Sequence, residues 1–450
     1  MAAEKRPSAG GRVTIARHGV LRTRHPLITL LSVFGVVLGV VGVSGVSLAA
    51  YNVWDASQAI ATNAVVLDEE KPLPPSLGAI EGGVNILLVG TDSCEGQDPS
   101  LSGACRAGDT EGERNDVTML VHISDEPRRV TVVSFPRDML VPIPACEKPD
   151  GSGKVSAMSS QMINASYWYG GLGCTVDTVE NLIGNDQITI DFAAAIRWTG
   201  VINVSNAIGG VDVCVAGDIN DVNTGLHLTA GTHTLTGVEA LQFLRIRHGI
   251  GDGSDLGRIS NQQQFMSSLV RKLQSDSVLA NPATLFNLAT TTIGQVQAGQ
   301  LVLSSGLTNP TLMVQIAMAV KDVPFEDIVF VQYPTVYAPG LNGSPSSRVL
   351  PVKDAAKVLF DALAANQPLS LTGDPSGGRA IEVTGEAQQP ATTPTTGATQ
   401  APADGATDAA APPATDAGGG TAATPEQRVE LPSNITGQTA KDTTCTLPQK

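Results

Sequence analysis

Three arginines in a glycine-rich stretch are the residues of this sequence that most directly suggest chemistry. Arg245 and Arg247 stand two positions apart, and Arg258 follows a loop rich in glycine. If the chain is extended at the first two, their side chains reach the same face, because side chains alternate along a strand. A guanidinium offers a planar fork of donors that fits phosphate oxygens. The stretch predicts a site for a multiply charged phosphate. A structural ion network with Asp252 and Asp255 is the alternative.

Charged residues also stand at the ends of three apolar runs that are typical of β-strands. The runs are 84–89, 117–123 and 130–135; Asp92 follows the first, Arg114 and Asp116 precede the second, and Arg137 and Asp138 follow the third. Ligands of open α/β sheets bind outside the carboxyl ends of the strands. These side chains are therefore candidates for one shared site, and the alternative is that they are scattered polar residues on strand surfaces.

The elements that must position these residues alternate between β and helical patterns, which favours an α/β fold with a mixed sheet. Further strands are predicted at 188–190, 211–215 and 328–331. Helices are predicted at 176–183, at 192–208, from a capping box at Thr236 and Glu239, after Arg258, and at 352–364.

The N-terminal part of the chain predicts a membrane anchor. Residues 1–26 are basic, and the run 27–50 is uncharged, apolar and long enough to cross roughly 30 Å of hydrocarbon as a helix. Positive charge before the run predicts a cytoplasmic N-terminus and an extracellular remainder. A cleaved signal peptide is the alternative. The net charge of −15 argues against a nucleic acid as partner.

Composition divides the rest of the chain. Residues 51–80 indicate a linker, 81–275 the globular domain that carries the candidate site, and 276–367 a further α/β part of the same globular body. The range 368–427, rich in Pro, Thr and Ala, predicts a disordered linker, followed by a tail at 428–450.

Six cysteines suit an oxidising compartment outside the cell. Proximity along the chain favours disulfides between Cys94 and Cys105 and between Cys146 and Cys174, which leaves Cys214 for Cys445. The sequence by itself does not determine the connectivity.

Taken in order, these segments resemble the LytR-CpsA-Psr family of membrane-anchored cell-wall enzymes, in its actinobacterial form, over roughly 83–273. The matching pieces are 85–92 (NILLVGTD), 114–116 (RND), 136–138 (PRD), 163–165 (INA), 209–213 (GGVDV), 245–248 (RIRH), 255–258 (DLGR) and 262–263 (QQ). The sequence departs from the family pattern in the insertion that carries Cys94 and Cys105, and at Ser93, Asn115 and Asn261.

The resemblance implies an α/β/α domain that transfers a glycopolymer, as glycosyl phosphate, from a polyprenyl-pyrophosphate carrier to peptidoglycan. It implies that Asp92 and Asp116 hold Mg²⁺, or Mn²⁺ in its place. Arg137 and Arg114 would act in catalysis, with Asp138 accepting a proton or orienting Arg137. The pyrophosphate would be bound by Arg245, Arg247, Arg258 and Gln262. Two alternatives stay open at this point: a non-catalytic protein that binds the lipid-linked glycan, and a hydrolase that cleaves the same pyrophosphate.

Overall fold

The computed structural model describes residues 64–67, 83–108, 112–275, 282–340, 345–375, 380–389 and 427–449. The predicted basic segment 1–26 and the predicted span 27–50 lie outside these ranges, and so does 390–426 of the predicted linker. Within the described ranges, every helix is too short or too polar to cross a bilayer.

The helices are α1 (Gly103–Arg106), α2 (Ser166–Ile183), α3 (Trp198–Ala207), α4 (Gly237–Arg245), α5 (Asp255–Gln274), α6 (Pro282–Gln297), α7 (Pro310–Ala319) and α8 (Lys353–Ala364). The strands are β1 (Val84–Thr91), β2 (Asn115–Ile123), β3 (Val130–Phe135), β4 (Leu140–Ile143), β5 (Cys146–Glu147), β6 (Lys154–Val155), β7 (Met158–Met162), β8 (Phe192–Ile196), β9 (Val211–Val215), β10 (Ile219–Asp221), β11 (Leu226–Leu228), β12 (Gly231–Leu235), β13 (Leu301–Leu303), β14 (Ile328–Gln332), β15 (Thr335–Pro339), β16 (Pro345–Pro351), β17 (Leu369–Ser370), β18 (Ile381–Glu386), β19 (Val429–Glu430), β20 (Gly437–Thr439) and β21 (Asp442–Thr446).

A seven-stranded mixed sheet forms the centre of the fold, in the order β13-β8-β1-β2-β3-β14-β20. Strand β1 is parallel to β8 and antiparallel to β2, and β3 is antiparallel to β2 and parallel to β14. The carboxyl ends of β8, β1, β3 and β14 therefore meet at one edge, where β2 begins. This edge collects the charged residues that flank the first three predicted strands.

Alternating side chains of the sheet are buried under helices on both faces. Leu87 and Val89 of β1 belong to a core that includes residues of α2 and α8. Val84 and Ile86 belong to a second core that includes residues of α6 and α7, with α5 packed against it. Alternate side chains of the strands thus pack against helical layers on opposite faces of the sheet. The predicted α/β architecture with a central mixed sheet is confirmed.

A second, four-stranded sheet has the order β12-β9-β21-β18 and packs its apolar side on α4 and α5. Strand β21 comes from the C-terminal tail and runs parallel to β9. Beyond β21, Leu447 accepts a hydrogen bond from the backbone N–H of Gly251 (3.1 Å), and the N–H of Gln449 donates to Gly249 (3.1 Å). The tail is therefore paired with the loop that lies between Arg247 and Arg258.

Several predicted elements differ from the observed ones. Residues 192–208 form strand β8 followed by α3, because the alanines at 193–195 fit between β1 and β13, where tertiary packing overrides helix propensity. Residues 188–190 form no strand. The N-cap of α4 is Thr236, but its side chain makes no capping hydrogen bond.

The ranges predicted as linkers and tail also contain packed structure. Leu67 is buried in the first core, and Val65 pairs with Ser304. Strand β17 pairs with β19, and β18 pairs with β21. The described parts of 51–80 and 368–427 therefore pack against the fold: the first supplies an isolated bridge and a core side chain, and the second supplies strands β17 and β18.

The structure places the six cysteines in the three predicted pairs. The Cα–Cα distances are 5.3 Å for Cys94 and Cys105, 5.4 Å for Cys146 and Cys174, and 4.5 Å for Cys214 and Cys445. These distances suit disulfide geometry. The last pair joins β9 to β21 and so ties the C-terminal tail to the second sheet.

Candidate functional site

Asp92 and Asp116 lie together at the carboxyl edge of the central sheet. Asp92 follows β1, and its Oδ1 accepts a hydrogen bond of 2.8 Å from the backbone N–H of Arg114. Burial and the neighbouring carboxylate of Asp116 raise the pKa of Asp92 to about 6. Burial alone would raise the pKa of Asp116 as well, but Arg258 and Arg137 lower it.

Arg137, which follows β3, lies in the middle of a carboxylate network. Its Nη1 donates to Asp116 Oδ1 (2.7 Å), and its Nε lies 3.2 Å from Asp255 Oδ1 and 4.0 Å from Asp138 Oδ1. Burial alone would lower the pKa of Arg137, but these three carboxylates raise it by more, so that the net shift of the pKa is upward. Arg137 is therefore held in one place as a permanent cation.

Arg258 approaches the same carboxylates from the first turn of α5. Its Nη2 lies 2.8 Å from Asp255 and donates to the backbone carbonyl of Asp116, also at 2.8 Å. Its side chain is only 6% exposed. A single helical turn thus supplies both a cation and, in Asp255, the anion that orients Arg137. The alternative of an ion network is present for Asp255, and Asp252 accepts a hydrogen bond from the backbone N–H of Ser254.

Arg245 is the last residue of α4 and lies beside the same cluster. Its guanidinium carbon is 4.0 Å from the centre of the Trp198 ring, and its Nη1 donates to the carbonyl of Leu101 (2.7 Å). Burial lowers the pKa of Arg245, although Asp116 and Asp92 oppose this effect. Stacking on an indole holds the guanidinium plane by a cation–π contact while leaving its outer donors usable.

The prediction that Arg245 and Arg247 share a face of an extended strand is wrong. Helix α4 continues through Arg245, and the chain turns at the fully buried Ile246. Arg247 donates to His248 (3.0 Å) and lines a separate cavity next to the network. Helical propensity in α4 and burial of Ile246 outweigh the alternation that a strand would impose.

Gln262 is buried at 2% exposure, and its amide donates to the carbonyl of Leu244 at 2.8 Å. The neighbouring Asn261 donates to the carbonyl of Phe243 at the same distance. Both amides satisfy carbonyls at the C-terminal end of α4, which an isolated helix leaves unpaired. Gln262 therefore supports Arg245 indirectly, by binding the backbone of the residue that precedes it. A contact between Gln262 and a pyrophosphate stays a prediction.

Arg114 is exposed, and its guanidinium lies over the ring of Trp168 at 5.5 Å. Trp168 belongs to α2, is 47% exposed and stacks on Tyr169. Arg114 is thus attached to the carboxylate pair through its backbone, while its side chain lies at the rim of the site.

Asp138 lies on the other side of Arg137 and lines a cavity of about 170 Å³ together with Arg247, Ser254 and Tyr337. Burial and the nearby Asp255 raise the pKa of Asp138. Arg348 of β16 reaches its Oδ1 at 3.1 Å. This arginine belongs to the range 276–367, for which the sequence indicated no chemistry.

Two carboxylates without a third protein ligand suit Mg²⁺, which commonly takes one or two carboxylates and completes its shell with water and phosphate oxygens. Burial, and after it the neighbouring charge of Asp116, raises the pKa of Asp92, and a divalent cation bound between the two carboxylates would offset both effects. Among the described residues there is no group of three or more His, Cys, Asp and Glu side chains with metal-binding geometry. Carboxylate oxygens are ligands that suit Mg²⁺, whereas structural Zn²⁺ sites are built mainly from Cys and His.

Sequence reasoning missed Glu113, Arg197, Trp198 and Arg348. Arg197 and Trp198 follow the end of β8 directly, and the prediction of a single helix at 192–208 contained no strand end at this point. Reading that range as a strand followed by a helix would have placed both residues at the same sheet edge as Asp92. Nothing in the local sequence around Arg348 points to Asp138, because the two are brought together only by the packing of β16.

Residues 51–335 match the model of the LytR_cpsA_psr family. The chain is 31% identical over 234 residues to the cell wall biosynthesis protein LcpA of Corynebacterium glutamicum, a match that covers 47% of this chain and 44% of LcpA. It is 28% identical over 249 residues to the polyisoprenyl-teichoic acid–peptidoglycan teichoic acid transferase TagU of Enterococcus faecalis, covering 55% of this chain and 72% of TagU.

Among solved structures, the chain is similar to a LytR-Csp2A-Psr enzyme from Actinomyces oris. The identity is 23%, the TM-score is 0.45, and the match covers 67% of this chain and 96% of the other. The family model spans well over half of the sequence and includes every residue of the site named above except Tyr337 and Arg348. The chain belongs to the LytR-CpsA-Psr family.

Proposed function

We propose that the protein is a magnesium-dependent phosphotransferase that moves a glycopolymer, as glycosyl phosphate, from a polyprenyl-pyrophosphate carrier to peptidoglycan during cell-wall assembly. The observation that carries the proposal is the gathering of Arg137, Arg245 and Arg258 around Asp116 and Asp92 at one sheet edge. Family membership and the name of TagU as a teichoic acid transferase support the same reaction class.

The chemistry of phosphoryl transfer explains why such a site needs arginines. The transferring phosphoryl group makes few covalent demands on a protein, so catalysis depends on positioning and on charge neutralisation. Arg137, Arg245 and Arg258 are held by partners that fix their orientation, Arg114 lies over Trp168 at the rim of the site, and Arg247 lines the neighbouring cavity. Together they offer donors to both phosphates of a pyrophosphate.

Asp92 and Asp116 would hold Mg²⁺, or Mn²⁺, against the phosphate oxygens. When bound, the ion neutralises negative charge on the pyrophosphate and orients its oxygens. Asp116 has a second task in the protein itself, since it accepts the hydrogen bond from Arg137 and so fixes that guanidinium.

In the transfer step, a hydroxyl of the peptidoglycan acceptor attacks the phosphorus that carries the glycan. A new P–O bond forms to the acceptor, the bond to the bridging oxygen breaks, and polyprenyl phosphate leaves. We assign the hydroxyl proton to Asp138; the assignment is supported by the cavity that Asp138 lines beside Arg137 and by burial, which raises its pKa. We assign that cavity to the acceptor.

The residues 27–50 would anchor the enzyme in the cytoplasmic membrane as a single span, with the N-terminus inside and the catalytic domain facing the wall. A lipid-linked substrate is held in the same membrane, so that the anchor keeps enzyme and carrier together. The net charge of −15 argues against a nucleic acid as a partner. The basic groups of the site are concentrated where the pyrophosphate would bind.

The test incubates the full chain in detergent micelles with Mg²⁺, a synthetic polyprenyl-pyrophosphoryl sugar that is labelled in the sugar, and peptidoglycan oligomers. The expected products are labelled glycosyl phosphate on the oligomers and free polyprenyl phosphate. Asp92→Asn is expected to lose most of the transfer, and so is wild-type protein in excess EDTA. Asp361→Asn is the matched control, since Asp361 pairs with Lys357 on α8.

Two outcomes would contradict the proposal. Retention of the lipid without any product would favour a non-catalytic binding protein. Release of free glycosyl phosphate at the same rate with and without oligomers would identify a hydrolase.

A further inference from the structure

A bidentate ion pair outside the phosphate-binding cluster joins Glu113 to Arg197. Nε of Arg197 donates to Oε1 of Glu113 at 2.9 Å, and Nη2 donates to Oε2 at 2.7 Å. The side chains are 16% and 21% exposed. Parallel double hydrogen bonds of this kind fix both the distance and the relative angle of the two groups. The pair is therefore a rigid connection between the start of β2 and the end of β8.

Glu113 is connected to the carboxylate side of the site by two short routes. It directly precedes Arg114, whose backbone N–H donates to Asp92 and whose carbonyl accepts from the N–H of Asp92 (3.1 Å). Its Oε1 also accepts a 2.5 Å hydrogen bond from Thr91, the residue before Asp92. A shift of the Glu113 carboxylate would consequently move the backbone on both sides of Asp92.

Arg197 is connected to the arginine side of the site. It directly precedes Trp198, which begins α3 and carries Arg245 on its indole ring. The backbone of Arg197 is itself fixed, because its N–H donates to the carbonyl of Gln300 at 2.9 Å. The orientation of the indole, and with it that of Arg245, depends on where Arg197 is held.

We propose that the Glu113–Arg197 pair is a positioning element that sets the distance between Arg114 with Asp92 on one wall of the site and Trp198 with Arg245 on the other. The inference rests on the proposed phosphoryl transfer. Neither residue of the pair touches the substrate, and both act through their neighbours in sequence. Displacing a catalytic group by about 1 Å can cost a hundredfold in rate, which is the kind of loss this pair prevents.

The first test is a double-mutant cycle with Glu113→Ala, Arg197→Ala and the double variant, in the transfer assay with the full chain. Each single variant is expected to lower kcat about tenfold or more, with KM for the lipid changed less than threefold, because alignment of the donors is lost while their charges remain. The double variant is expected to be no slower than the worse single variant, since both changes remove the same connection. Arg197→Lys is expected to behave like Arg197→Ala, because an ammonium cannot replace the fork.

Multiplying losses in the double variant would overturn the proposal, because Arg197 would then act on the phosphate by itself. A kcat within twofold of wild type in folded Arg197→Ala would also overturn it. Arg428→Ala is the matched control: Arg428 pairs with Asp327 at 2.9 Å before β14, at the opposite edge of the sheet, and is expected to leave kcat unchanged.

The second test does not depend on activity. The protein has three tryptophans, so Trp54→Phe with Trp168→Phe leaves Trp198 as the sole indole emitter. Breaking the pair in this background is expected to shift the emission of the buried Trp198 to longer wavelength, while Arg428→Ala leaves it in place. Unchanged emission in Arg197→Ala would refute the structural link. If wild-type protein transfers nothing but the shift occurs, the proposed function fails and the connection through the pair stands.

Discussion

Arg137→Ala removes the guanidinium that contacts three carboxylates at the centre of the site. Loss of one charge-assisted donor to a transferring phosphoryl group is expected to cost about 3 kcal/mol of transition-state stabilisation, or about a hundredfold in rate. The structure adds a stability cost, since Asp116 and Asp255 lose a partner at 2.7 and 3.2 Å.

The stability cost should stay moderate. Removing one partner of a buried pair costs roughly 3–5 kcal/mol when the remaining charge has no other partner. Here Arg258 still lies 2.8 Å from Asp255 and 3.8 Å from Asp116, and Asp116 is 22% exposed. We expect a loss of about 1–2 kcal/mol, which lowers the melting temperature by only a few degrees in a domain of this size.

The assay is the rate of labelled glycosyl phosphate transfer at saturating lipid, together with thermal unfolding of the same preparations. Arg137→Lys retains the charge but reaches only one carboxylate at a time, so its rate should fall between wild type and Arg137→Ala. Arg428→Ala again serves as the control with a single carboxylate partner. If folded Arg137→Ala transfers within about threefold of wild type, the reasoning is refuted, and the phosphates must be bound by Arg245, Arg247 and Arg258 alone.

Two further predictions concern the C-terminal tail. Gly437→Ala should destabilise the fold by about 2 kcal/mol or more, because a Cβ there would lie 2.1 Å from the carbonyl oxygen of Phe330. Thermal unfolding measures this loss. The control is Gly294→Ala in α6, where a Cβ would meet no atom within 4 Å and the change should be neutral or slightly stabilising. Deleting the chain after residue 446 removes the backbone hydrogen bonds between 447–449 and the loop 249–253. We therefore expect KM for the lipid to rise several-fold, while the melting temperature changes little. An unchanged KM would mean that the loop keeps its shape without the tail.

Local sequence was sufficient for the strands that carry the charged residues. The runs at 84–89, 117–123 and 130–135 are apolar, β-rich and bounded by turn residues, and each is observed as a strand with its charges at the predicted end. Burial on both faces of the central sheet leaves little freedom in how such runs can fold. The prediction that the flanking aspartates and arginines meet at one edge followed from this pattern.

Local sequence was insufficient where long-range contacts outweigh propensity. The alanine-rich 192–196 favours a helix by itself, yet it becomes a strand because it is flanked by β1 and β13. Arg245 and Arg247 alternate in sequence but do not belong to one strand, since α4 extends through the first of them. In each case the packing partner lies far away along the chain, and the local pattern contains no signal of it.

The residue types, the order of the motifs and the family were thus determined by the sequence alone, because they depend only on which residues follow one another along the chain. Only the tertiary structure decided how those groups are oriented. Asp255 fixes Arg137, Trp198 supports Arg245, and Glu113 with Arg197 joins the two walls. These side-chain contacts join residues that lie 47 (Trp198 and Arg245), 84 (Glu113 and Arg197) and 118 (Arg137 and Asp255) positions apart. Such contacts exist only after the sheet has brought the strand ends together.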